Sequence, residues 1–100
     1  MDRRPIGELL EDARHGRWGS YYNLWDAIAD RAMLEQAGWL LMDVLDSNAD
    51  YLIRYHCAAA LIKLMQLTDL EPVHLSADWP TRPGQLARVK TELQRRVPRA

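Results

Sequence analysis

The sequence predicts an all-α protein, a compact bundle of about five helices. Three observations carry this. Apolar residues recur at helical spacing through most of the chain. The stretch 46–65 reads as a capped turn followed by a helix apolar on nearly every side, so other elements must cover it. Pro5, Ser20 and Thr81 stand where helices would start.

One hundred residues with 48% apolar content suit a single domain, residues 1–100. Pro5 is suited to a first helical turn, so helix one is expected from Pro5 to about His15. Ile6, Leu9, Leu10 and Ala13 make its apolar face, and Gly16 is its stop. Helix two is expected to start near Ser20, a favourable N-cap. Tyr21, Leu24, Trp25, Ile28 and Ala32 then repeat at helical spacing. Neither glycine nor proline separates Ser20 from Ala37. A break within residues 30–38 is still expected, because a helix continuing to Leu45 would be long for so small a domain.

Helix three is expected from Leu34 to Leu45, with Gly38 weakening its middle or marking its start. Ser47-Asn48-Ala49-Asp50 matches a capping-box pattern ahead of helix four, expected over residues 49–67. On that helix His56, Ala59, Lys63 and Gln66 fall on one stripe, which should face solvent. Arg54 lies opposite, among apolar neighbours. A buried guanidinium there needs a partner, and Asp26, Asp30, Asp43 and Asp50 are the candidates. Pro72 and Pro80 interrupt residues 68–82, which read as a long connection without a regular helix. Thr81 can cap a last, basic helix over residues 83–97, with Leu86, Val89, Leu93 and Val97 as its apolar stripe.

Charge is divided unevenly. Residues 1–78 carry −6 and residues 79–100 carry +5, for a net −1. The basic field expected of a nucleic-acid binder is missing. An acidic body with a basic tail fits a basic partner better than a polyanion, although solubility alone explains such asymmetry. No apolar run is long enough to span a membrane, and the N-terminal residues lack the apolar core of a secretory signal. The single Cys57 cannot form an intrachain disulfide. A cytoplasmic location is therefore expected.

Chemistry-bearing patterns are sparse. His15, His56 and His74 are far apart and lack zinc-ligand spacing. His56 and Cys57 are adjacent on a helix and point about 100° apart, so Cys57 reads as core. Asp69, Glu71, His74 and Asp78 read as solvated loop polarity rather than a metal set. No phosphate loop, nucleophile elbow or paired-carboxylate motif occurs. No enzyme, metal or cofactor is expected. Trp and Tyr, four of each with no Phe, favour interfaces. Trp18, Tyr22 and Trp25 share helical spacing with Tyr21. Trp25 and Tyr21 should be core, while Trp18 and Tyr22 could pack on helix one or face a partner. Trp79 could pin its loop or anchor a partner.

Ile53-Arg-Tyr-His-Cys-Ala-Ala-Ala-Leu61 resembles the second helix of a HEAT-type repeat, with Val-Arg, small residues and Ala-Leu at the family's spacing. The preceding 46–50 segment looks like that family's inter-helix turn, without its proline. The resemblance covers roughly residues 34–67 and implies a HEAT-like hairpin used to bind another macromolecule. Small helical chains of this kind are also similar to bacterial immunity proteins that block toxins. That likeness implies stoichiometric binding of a cognate toxin, for instance a basic nuclease. Asp43, Asp46 and Asp50 would contact the partner at one acidic turn, with Trp18, Tyr22 and Trp79 as further candidates. The alternative is a regulatory or scaffold subunit, self-associating through an aromatic face.

Overall fold

The helix that needs covering on all sides is the one the fold is built around. In a computed structural model, which describes residues 3–19 and 22–99, α4 (Tyr51–Met65) packs against three other helices. Ile53, Cys57, Ala58, Ala60, Leu61 and Met65 are its buried residues. Ala58 and Ala60 have no bulk beyond Cβ, so neighbouring helices can come close to its axis. The outward stripe is present: Lys63 and Gln66 are exposed, and His56 and Ala59 are half-buried.

Around α4 lie α1 (Ile6–Arg14), α2 (Tyr22–Arg31), α3 (Leu34–Leu45), α5 (Pro72–Ser76) and α6 (Arg82–Arg96). Six helices and no strand occur among the described residues, so the chain is an all-α bundle. Its radius of gyration is 12.4 Å, close to the value of about 13 Å expected for a compact chain of this length. α2, α3 and α5 contact α4, α1 lies across α2 and α3, and α6 closes the far side against α3 and α5.

The helix boundaries have local causes. Gly16 takes φ +73°, which lets the Arg17 N–H turn back to the Asp12 carbonyl at 2.9 Å and ends α1. The expected break after α2 falls at Ala32–Met33, where the Met33 N–H is taken by the Gln36 side chain at 2.8 Å. The expected cap at Ser20 and core position of Tyr21 lie outside the described residues, as does the side chain of Tyr22.

Several local expectations need correction. Ser47 does not cap α4. Its hydroxyl donates to the Val44 carbonyl at 2.7 Å and accepts the Ala49 N–H at 3.2 Å, and α4 starts after Asp50, whose side chain makes no cap bond. Residues 68–82 are not free of helix. Pro72 opens α5 at a position where its missing N–H is harmless, and His74 Nδ1 accepts the Glu71 N–H at 2.9 Å. Thr81 precedes α6 without a side-chain cap bond. Arg54 faces none of the four expected carboxylates. Its only ion-pair partner among the described residues is Asp78, 3.7 Å away and largely exposed, and its Nε is buried without a hydrogen bond.

Gly38 sits inside α3 for a steric reason. A Cβ there would stand 2.8 Å from Leu93 Cδ1 and 3.1 Å from Leu34 Cδ1. The missing side chain is what lets α6 seat against α3.

Candidate functional site

One face of α3 runs Gln36, Trp39, Leu40, Asp43, Val44 and, just beyond the helix, Ser47. Steps of three and four residues put these side chains in a row. α1 crosses this row, and the chain between α1 and α2 brings Trp18 alongside. A groove of about 650 Å³ remains between them, also lined by Ala13, Arg14 and Gly16 from the α1 side and by Arg99. Val44 and Ala13 are buried, while Trp18, Trp39 and Leu40 are half-buried.

Trp18 and Trp39 each have the indole N–H bonded to a carbonyl and line the groove with half-buried rings. Trp18 Nε1 donates to the Ala13 carbonyl at 3.0 Å, and its ring lies 6.3 Å from that of buried Trp25. Trp18 is therefore packed on α1, one of the two roles open to it. Trp39 Nε1 donates to the Val97 carbonyl at 2.7 Å. This bond pulls the segment after α6 back across α3. Arg99 then lies over the Trp39 ring, its Cζ 5.0 Å from the centroid, and forms bonds of 2.8 and 2.7 Å to the two Asp43 oxygens. A flat guanidinium held by a carboxylate fork and an aromatic face is a geometry that lysine cannot reproduce. The Arg99 hydrogen bonds, joined by the charges of Arg99 and Lys90, hold the Asp43 carboxyl below the usual carboxylate range.

The two charge blocks meet within the molecule. Lys90 pairs with Asp46, Arg88 with Asp69, and Arg95 and Arg96 with Glu92. Glu92 is lowered to about 2, chiefly by Arg95 and then Arg96. Two further arginines serve helix ends. Arg82 donates to the Leu45 carbonyl at 2.7 Å and the Leu75 carbonyl at 2.9 Å, and Arg96 to the Met65 carbonyl at 2.7 Å. These are the ends of α3, α5 and α4, where unpaired carbonyls and the dipole favour a cation. All six bases of residues 79–100 thus have partners in the chain.

The candidate partner residues separate accordingly. Asp43 belongs to the groove, held by Arg99. Asp46 is held by Lys90, and Asp50 has no ion pair among the described residues. Trp18 is in the groove. Trp79 is exposed in the 77–81 segment, and its ring meets that of His74 edge-on, with centroids 6.1 Å apart. Trp39 and Arg99 were not singled out from sequence as site residues. The Trp39–Asp43 spacing of four on one helix was a usable signal, but nothing local indicates Arg99.

Cys57 is fully buried with Sγ 3.1 Å from the Leu41 carbonyl, and burial raises its thiol. It is inert core, as is usual for such thiols. No group of acidic, histidine or cysteine side chains suited to a metal occurs among the described residues. No helix among them is long and apolar enough to cross a membrane. No protein-family model, curated protein or solved structure matches this chain.

Proposed function

We propose that this chain is a protein-binding module whose contact face is the groove between α1 and α3. The observation that carries this is the pair of half-buried indoles, Trp18 and Trp39, set beside Arg14, Asp43 and Arg99 around an open apolar floor. Tryptophan and arginine dominate the energetics of protein interfaces, where partly apolar pockets rimmed by charge exclude water around a few anchors. The adjoining turn adds Asp46 and Asp50 as rim charges, which act mainly on association rate.

The more specific form of the proposal is an immunity protein that neutralises a toxin by stoichiometric binding; the HEAT-like resemblance of residues 34–67 bears only on binding another macromolecule. Of the acids between Gly19 and Ile53, Asp30, Asp43 and Asp46 are paired within the chain, and Asp26, Glu35 and Asp50, with no ion pair among the described residues, favour a basic toxin surface. The alternative is a scaffold or regulatory subunit using the same groove. The test is a pull-down from the native host with the wild-type chain, the Leu40→Glu variant and the Asp43→Asn/Asp46→Asn double variant. A stoichiometric partner lost with Leu40→Glu is the expected result. A partner retained equally by all three removes the groove from the function. A toxin activity abolished at one equivalent of added chain distinguishes immunity from scaffolding.

A further inference from the structure

The corner formed by Trp39 and Asp43 reads one chemical group, a guanidinium. It offers an aromatic face, a carboxylate fork and a wall of α3 between them. Arg99 fills the corner in this structure from the segment that follows α6, over a largely exposed surface. The Arg99 and Asp43 side chains are 49% and 52% exposed. The contact therefore lies in high dielectric, where such a pair holds weakly. Beyond Arg99 the groove continues over Leu40 and Val44 to Ala13 and Trp18, and none of the described residues fills that part.

We propose that the Trp39–Asp43 corner is the receptor for an arginine side chain of the partner protein, and that Arg99 is an internal competitor which must leave first. The inference rests on the groove's binding role and names the chemistry of its partner. The partner presents an arginine with an apolar residue beside it. The guanidinium takes the place of Arg99, and the apolar neighbour covers Leu40 and approaches Trp18. Arginine is required because only a planar fork can engage both Asp43 oxygens while lying over an indole. The displaced segment is also tied by the Trp39 Nε1 bond to the Val97 carbonyl and by the Gln94 side chain, whose oxygen accepts the Arg99 N–H at 3.2 Å, so these must loosen with it. Occupancy by Arg99 lowers the apparent affinity for the partner in proportion to the fraction of time the corner is free. Arg99 thereby sets a threshold against weak or partial arginine-bearing sequences.

The experiment uses the full chain and a peptide copying residues 96–100, Arg-Val-Pro-Arg-Ala, as the guanidinium probe. Binding is followed by tryptophan fluorescence and by the NMR signal of the Trp39 indole N–H. If the corner is closed about nine-tenths of the time, Arg99→Ala should bind the peptide about tenfold more tightly than wild type. The gain should disappear when Asp43→Asn is added, and when both peptide arginines are replaced by lysine. Arg99→Gln provides the same opening should Arg99→Ala fold poorly. Equal affinity of wild type and the Arg99 variants overturns the proposal, as does binding indifferent to Asp43→Asn. Wild-type dimers that vanish in Arg99→Ala would make the occupant a second copy and also overturn it. A host partner that still depends on Leu40 while the peptide fails would leave the binding role standing and remove only the arginine mechanism.

Discussion

Arg99 grips Asp43 through two hydrogen bonds, of 2.8 and 2.7 Å, although 56 residues separate them. The contact joins the segment after α6 to the last turn of α3 and makes the groove's charged rim. Its protonation behaviour has a definite sign. The Asp43 carboxyl is lowered in the folded chain, first by its hydrogen bonds to Arg99. A lowered carboxyl contributes stability above its unfolded-state pKa, about 3.9, and that contribution is lost as pH falls through the folded value. The Trp39 indole N–H should therefore keep its shift and exchange protection at neutral pH and lose both in acid, below about pH 4. Asp43→Asn should show the acid-like signal at every pH. A titration unchanged by that substitution would assign the effect to another group.

Arg54 invites a test of buried charge. Its side chain is 15% exposed, whereas Asp78 is 82% exposed. Removing the arginine thus strands no buried carboxylate, unlike the pairing expected from sequence. A guanidinium with an unpaired buried Nε carries a desolvation cost that an apolar side chain of similar length avoids. Arg54→Met should hold stability or raise it by about 1 kcal/mol in urea unfolding. Arg54→Ala should lose about 1–2 kcal/mol, from stem packing. A large loss in Arg54→Met would mean the guanidinium itself is required.

Gly38 predicts a steric effect between α3 and α6. A valine there pushes against Leu93, which is fully buried, and against Leu34. Gly38→Val should cost about 1–3 kcal/mol through overpacking, despite the better helix propensity of a residue with Cβ. Shortening Leu93 to alanine in the same chain should recover part of the loss. Additive losses would place the strain elsewhere.

Gln66 offers a gain. It ends α4 in the left-handed region at φ 57°, with the Leu67 N–H returning to the Ile62 carbonyl at 3.1 Å. A side chain with Cβ is strained there and glycine is not. Gln66→Gly should stabilise by about 0.5–1 kcal/mol, raising Tm by roughly 3–6 °C. Gln66→Ala should not, because alanine keeps the strain.

Helix-level organisation was legible because its signals are local. Gly16, the helical repeat Leu24, Trp25 and Ile28 of α2 and the stripe Leu86–Val89–Leu93 each lie within a few residues of what they determine. The short α5 was hidden because proline was read as an interruption, whereas Pro72 occupies a first-turn position. Ser47 was misread because its hydroxyl finds a nearer acceptor at Val44 than a helix end to cap.

By itself the sequence determined the all-α class, the positions of the long helices and the central place of α4, since period and propensity act within one turn of helix. The tertiary structure decided where the charges go. Lys90, Arg88 and Arg99 of the tail pair with Asp46, Asp69 and Asp43 of the body, Arg82 and Arg96 cap helices other than their own, and Arg99 also reaches Trp39. Those contacts depend on how α3, α4 and α6 cross, and the crossing is set by side-chain packing between residues distant in the chain, such as Gly38 and Leu93.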